Sequence, residues 1–139
     1  MKQLLFETKY WEVYLVPDQK YLGRSLVILK RDCEHLSEIS KEESEDFFEI
    51  VKKTEGLFKE KFNATMFNWT CLMNNAYKKA NSEKPQVHWH CRPRYEERVE
   101  FEGKTFLDPN FAHHYLRGKE NEKNVSDEFL QKMIDFLNE

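Results

Sequence analysis

Gln86-Val87-His88-Trp89-His90-Cys91-Arg92-Pro93-Arg94 alternates polar with apolar or small residues at every step. A β-strand sends successive side chains to opposite faces. This spacing therefore places Gln86, His88, His90, Arg92 and Arg94 in one row and turns Val87, Trp89, Cys91 and Pro93 toward a core. Neighbours within the row sit roughly 7 Å apart. Two imidazoles and two guanidiniums at that spacing suit an anionic group, and phosphate is the first candidate.

Working outward, Trp11 to Val16 and Ser25 to Lys30 are rich in β-branched and aromatic residues, with Pro17, Asp18 and Gly23 between them, and read as an antiparallel pair. Cys33 to Ile39 reads as a turn or short helix. Ser40 precedes Glu43 by three residues, the spacing of a reciprocal helix cap, so a helix is expected to begin there. Phe47, Ile50, Val51, Thr54, Leu57, Phe58 and Phe62 recur at helical intervals and give it a heavy apolar stripe. Thr65 to Met73 reads as another strand, followed by a polar loop from Asn74 to Pro85 that carries Asn75, Asn81 and Ser82. Beyond Tyr95 the chain reads as polar and irregular until Ser126, a candidate N-cap with Val125 placed to staple on Leu130; Phe129, Leu130, Met133, Ile134 and Leu137 then make a last amphipathic helix. The order β-β-α-β-β-α predicts an α+β domain whose antiparallel sheet is covered on one face by the long helix.

At 139 residues the chain is expected to form one domain over 1–139. A net charge of -3 argues against bulk nucleic-acid binding through a basic surface, so any anion must be held by local positive groups. Cys33, Cys71 and Cys91 are an odd set without CxxC spacing, which suits reduced thiols in a cytoplasm better than a disulfide framework. The apolar run near Met1 is too short for a signal peptide, and no later stretch approaches a membrane span.

Chemically, a histidine attacks phosphorus near neutral pH if one ring nitrogen is tied down so that the other presents its lone pair. His88 fits that role. A charged His90 would donate to a phosphate oxygen or leaving group, and Arg92 and Arg94 would fork onto non-bridging oxygens. Together these residues make a phosphoryl or nucleotidyl transfer site. Two other readings stand beside it: a solvated strand face with incidental histidines, and a zinc site in which Cys33, His35, His113 or His114 joins His88 and His90.

His88-Trp89-His90-Cys91-Arg92-Pro93-Arg94-Tyr95 resembles the signature of the histidine triad (HIT) superfamily, in which three histidines alternate with hydrophobic residues and a Pro-Arg pair follows. Asp18-Gln19 with Gly23-Arg24-Ser25-Leu26-Val27 and Lys30-Arg31 resembles the family's opening hairpin. Leu36-Ser37-Glu38-Ile39-Ser40 resembles the approach to its long helix, and Phe67-Asn68-Trp69 with Leu72-Met73-Asn74 its asparagine-bearing strand. The likeness covers residues 10–95 and leaves 96–139 as a C-terminal extension and helix. It implies a sheet of about five strands with one long helix packed on it and a C-terminal helix.

Anchoring on Pro93-Arg94 makes His90 the third histidine, His88 the middle and nucleophilic one, and puts Gln86 where the first would stand; the other register, with His88 first, moves the nucleophile to His90. The resemblance further implies nucleotide hydrolysis or nucleotidyl transfer at the α-phosphate of a phosphoramidate or dinucleoside polyphosphate, through a covalent nucleotidyl-histidine. Gln86 would hold the hydrogen-bond network, Asp18 would accept from a ribose hydroxyl, and Asn68, Asn74 and Asn75 would bind nucleotide alongside Arg92 and Arg94. No cofactor or resident metal is implied, although a divalent ion can accompany a polyphosphate. A homodimer is implied. Four departures stand out: Gln86 for histidine, Arg92 at a position usually apolar, Asp32 where many relatives carry histidine, and no Gly-rich turn before Pro85. Loss of the first histidine leaves open a non-catalytic nucleotide-binding or sensor protein.

Overall fold

The computed structural model describes residues 1–80 and 83–139; Asn81 and Ser82 of the polar loop lie outside the described residues. Strands β1 (Gln3–Glu7), β2 (Trp11–Leu15) and β3 (Ser25–Leu29) precede helix α1 (Lys41–Phe62); β4 (Met66–Thr70) and β5 (His88–Arg94) follow. A small hairpin, β6 (Val99–Phe101) and β7 (Lys104–Phe106), leads to helix α2 (Asp127–Leu137). The main sheet has the order β1-β2-β3-β5-β4, and every neighbouring pair is antiparallel. The α+β reading holds, with two additions.

Gln3–Glu7 is a strand, paired to β2 across an irregularity between Leu4 and Phe6. Val99–Phe101 and Lys104–Phe106 form a hairpin closed by Glu102 and Gly103, both at positive φ (49° and 77°), the backbone that a tight two-residue turn requires. β4 also ends at Thr70 rather than Met73, where φ is 58° and the chain turns away.

Period-two burial builds the sheet. Trp11, Val13 and Leu15 of β2 and Ser25, Val27 and Leu29 of β3 are buried, while Leu26 and Ile28 face the opposite side and are only half-buried. Helix α1 covers the buried face with Ile50, Thr54, Phe58 and Phe62. Its first turn is capped reciprocally by Ser40 and Glu43, and Trp11 Nε1 donates to the Glu43 carbonyl at 2.8 Å. Phe47 stacks on Trp89 of β5 at 4.9 Å and meets Trp11 and Trp69 edge-on or tilted. The apolar row of β5 is thereby clamped against α1, and its polar row is left on the other side. Helix α2, capped by Ser126, is buried through Phe129, Leu130, Met133, Ile134 and Leu137.

The turn between β2 and β3 sets the near wall of the site. Buried Gln19 donates to the carbonyls of Val16 and Arg24 and accepts from the Gly23 N–H at 2.7 Å. Gly23 has φ +92°, and a Cβ there would lie 2.6 Å from Phe58 Cε1. Only glycine meets both constraints. Gly23→Ala is expected to destabilise the protein by about 2–4 kcal/mol, from backbone strain together with overpacking, as read by urea denaturation.

Candidate functional site

β5 lies between β3 and β4, so its outward residues have neighbours on both sides. His88 pairs with Ile28, His90 lies between Leu26 and Thr70, Arg92 is opposite Asn68, and Arg94 is opposite Met66. Paired residues share a face. The polar row of the sequence therefore exists as a row, flanked on the β3 side by the apolar Leu26 and Ile28.

His88 Nδ1 lies 2.8 Å from the carbonyl oxygen of Gln86. A carbonyl only accepts, so Nδ1 carries the proton and Nε2 is left with its lone pair. The Gln86 side chain holds that carbonyl in place without touching either imidazole. Its Nε2 donates to the carbonyls of Leu29 and Arg31, each at 2.8 Å, and its Oε1 accepts from Cys33 N–H at 3.0 Å. The network role expected of Gln86 is thus a brace between the start of β5 and the chain after β3. No proton ionises in it.

The centroids of the His88 and His90 rings are 5.1 Å apart with planes at 72°. His90 Nδ1 is buried and has no hydrogen-bond partner. Burial first, then the charges of Arg92, Arg24 and Arg117 together with the neighbouring His88 ring whenever it is protonated, push His90 down to about 3 from its ordinary 6.5. The expectation of a charged His90 is corrected accordingly: the ring is neutral at pH 7 and offers one N–H.

A cavity of about 190 Å³ opens over this row, with His88, His90 and Arg92 as its floor. Asp18 and Arg24 form one wall, Asn74 and Asn75 a second, and Arg117 closes a third. Asp18 already accepts from the backbone N–H groups of Lys20 and Lys123 and from Arg24 Nη1 at 2.7 Å. It orients Arg24 and clips the C-terminal segment onto the hairpin turn. On the other side of His88 a more apolar groove is lined by Leu26, Ile28, Lys84 and Gln86.

Arg94 and Asn68 do not belong to this cavity, which corrects their placement among the phosphate ligands. Every N–H of Arg94 is engaged: Nε and Nη2 fork onto Asp108 at 2.7 and 2.9 Å, Nη2 also reaches the Asn110 carbonyl, and Nη1 donates to Asn68 Oδ1 and the His113 carbonyl. The ion pair is almost wholly buried. Arg94 therefore anchors the segment after β7, and Asn68 helps to hold it. His113 and His114 border a separate groove along β4 with Asn68. Among the described residues no group of three or more His, Cys, Asp or Glu could hold a metal ion, so the zinc reading finds no ligand set. Cys91 is fully buried and burial raises its thiol pKa, as its inward position predicts.

Arg24, Tyr115 and Arg117 were not singled out by spacing. Arg24 stood in the quoted Gly-Arg-Ser stretch as part of a turn. Tyr115, whose ring lies 4.0 Å from the Arg92 guanidinium, and Arg117, which lines the cavity, arrive by a long-range return of the chain that leaves no periodic signal.

A family model described as HIT domain matches residues 1–97. No curated protein matches the chain. Among solved structures, a histidine triad protein from Marinobacter aquaeolei superposes with TM-score 0.71 at 20% identity, covering 98% of this chain and 85% of that one. A hypothetical histidine triad nucleotide-binding protein from Sulfolobus tokodaii gives 0.64 at 17%, covering 99% and 81%. The diadenosine triphosphate hydrolase of Plasmodium falciparum, solved with cyclomarin A, gives 0.56 at 19% over 70% of this chain and 65% of its own. At such identities the likeness is one of fold. No described helix is long and apolar enough to cross a membrane.

His90 also sets a pH dependence. Its folded value of about 3 lies below its ordinary 6.5, so between them the unfolded chain binds the proton that the folded one refuses. This contribution is fully present above pH 6.5 and is lost as pH falls toward 3. Urea titrations at descending pH are expected to show a smaller acid loss for His90→Asn than for the parent. Imidazole NMR should find His90 still neutral at pH 5.

Proposed function

Because the chain belongs to the HIT domain family, we propose that it is a nucleotide hydrolase or nucleotidyl transferase, acting at the α-phosphate of a phosphoramidate or dinucleoside polyphosphate. The single observation that carries this reading is the bond from His88 Nδ1–H to the Gln86 carbonyl, which leaves Nε2 as a nucleophile beside a cavity rich in guanidinium. Nε2 attacks the α-phosphorus, a P–N bond forms, and the bond to the leaving group breaks with its electron pair departing on that group. The imidazole then carries positive charge, which strengthens its Nδ1–H bond to the carbonyl. Water or another acceptor attacks the same phosphorus and restores the ring.

His90 supplies an N–H to the transferring group. Burial and then the cations around it keep its own proton affinity low, and an anionic substrate in the cavity offsets the cations, so His90 gains a proton more readily with substrate bound than without. Asn74 and Asn75 face that substrate from the loop, and Asp18 presents Arg24. No cofactor enters the covalent step; a divalent ion, where one takes part, is a companion of a polyphosphate substrate. The homodimer belongs to the same proposal and is supported by β4, which among the described residues pairs with β5 alone and ends the main sheet.

Incubation with adenosine phosphoramidate or a dinucleoside polyphosphate, followed by chromatography, is expected to release mononucleotide, and intact-mass measurement to find a nucleotidyl adduct on His88. His88→Ala should lower the rate by about 10³-fold or more. Gln86→Ala, which loosens the brace but keeps the nucleophile, should cost about ten- to a hundred-fold through misplacement. Tight nucleotide binding without release would favour the sensor reading instead.

A further inference from the structure

Two arginines on the same face of β5 have opposite circumstances. Arg94 has every donor engaged. Arg92 is also buried, 7% exposed against 1% for Arg94, yet no hydrogen bond or ion pair among the described residues reaches its guanidinium. Nη1 is buried without a partner, and the guanidinium lies over the face of Tyr115 at 4.0 Å. A buried guanidinium left in this state is unfavourable unless something anionic completes it. Arg92 lines the His88 cavity, and so do Arg24 and Arg117. Two carboxylates share that lining. Asp18 is committed to Arg24 and to two backbone N–H groups, and Glu122 accepts from Asn124 Nδ2 at 3.1 Å.

We propose that Arg24, Arg92 and Arg117 form a second anion subsite beside His88, which takes a second phosphoryl group carried by the same substrate. The inference rests on the reading of His88 as the residue that meets the first. From His88 to Arg92 the strand runs four residues, roughly 13 Å, a separation that suits two anionic groups of one ligand better than a single one. Burial, and after it the like charges of Arg24 and Arg117, lower Arg92 to about 10.

The subsite is not contained in the matched family region. Tyr115 and Arg117 follow residue 97, and their segment is fastened as part of the wall. Leu116 N–H donates to Tyr21 Oη at 2.7 Å, Gln19 N–H to the Lys123 carbonyl at 2.8 Å, and Lys123 N–H to Asp18 at 3.0 Å. The extension thus turns the exposed end of a nucleotide cavity into one that selects for additional negative charge.

Calorimetric titration of the full chain with AMP, ADP and adenosine 3′,5′-bisphosphate tests this and distinguishes a second phosphate on the chain from one on the ribose. At least one of the two doubly phosphorylated ligands is expected to bind about ten-fold tighter than AMP or better. That advantage should vanish in Arg92→Gln and shrink in Arg117→Ala, an exposed position whose substitution leaves the core untouched. Equal binding of the three, no binding of any, or a preference that survives both substitutions overturns the subsite. A preference without nucleotide release at His88 keeps the subsite and removes the catalytic reading; release without preference does the reverse.

Discussion

The site depends on the fixed register of β5 between its two neighbours. A strand paired on both sides cannot slip by one residue without moving its whole polar row onto the opposite face. Here that slip would drive two histidines and two arginines into Phe47 and Trp69 and expose Trp89. The stack of Phe47 on Trp89 at 4.9 Å and the backbone ladders to β3 and β4 reinforce each other. Side-chain packing on one face thereby determines the chemistry presented on the other.

Within that row, position and not residue type decides behaviour. His88 has a carbonyl to accept its Nδ1–H, whereas His90 Nδ1 has no such partner, and burial together with the surrounding cations keeps that ring neutral. Arg94 meets Asp108 and becomes part of the scaffold; removing one partner from a buried pair of this kind typically costs about 3–5 kcal/mol. Arg92 meets an aromatic face and keeps its donors for something else. The contrast follows from what the segment after β7 brings to each position.

Features encoded by local pattern were legible in the sequence. Ser40 with Glu43, Ser126, the Phe-rich stripe of α1 and the alternation of β5 each correspond to a structural element, because caps and periodicity act over a few residues. β1 was missed because an edge strand of five residues makes a weak pattern that its pairing with β2 completes. The Glu102-Gly103 hairpin had a turn signal, but the strands on either side are only three residues long. At the site, the alternation placed His88, His90 and Arg92 correctly on one face but could not separate Arg92 from Arg94. The distinction is made by Asp108 and Tyr115, which come from segments beyond the strand and whose approach no spacing rule encodes.

The Arg94–Asp108 pair has a consequence for modularity. It crosses the point at residue 97 where the family-model match ends, and on the far side the Asn110 and His113 carbonyls complete the same guanidinium. A cut placed at that boundary would strip Arg94 of its counter-ion and of two of the carbonyls that satisfy it. The stretch that the family model matches and the stretch that satisfies this guanidinium are therefore different lengths of chain. Grafting the matched part onto another scaffold would require transplanting its C-terminal clasp as well.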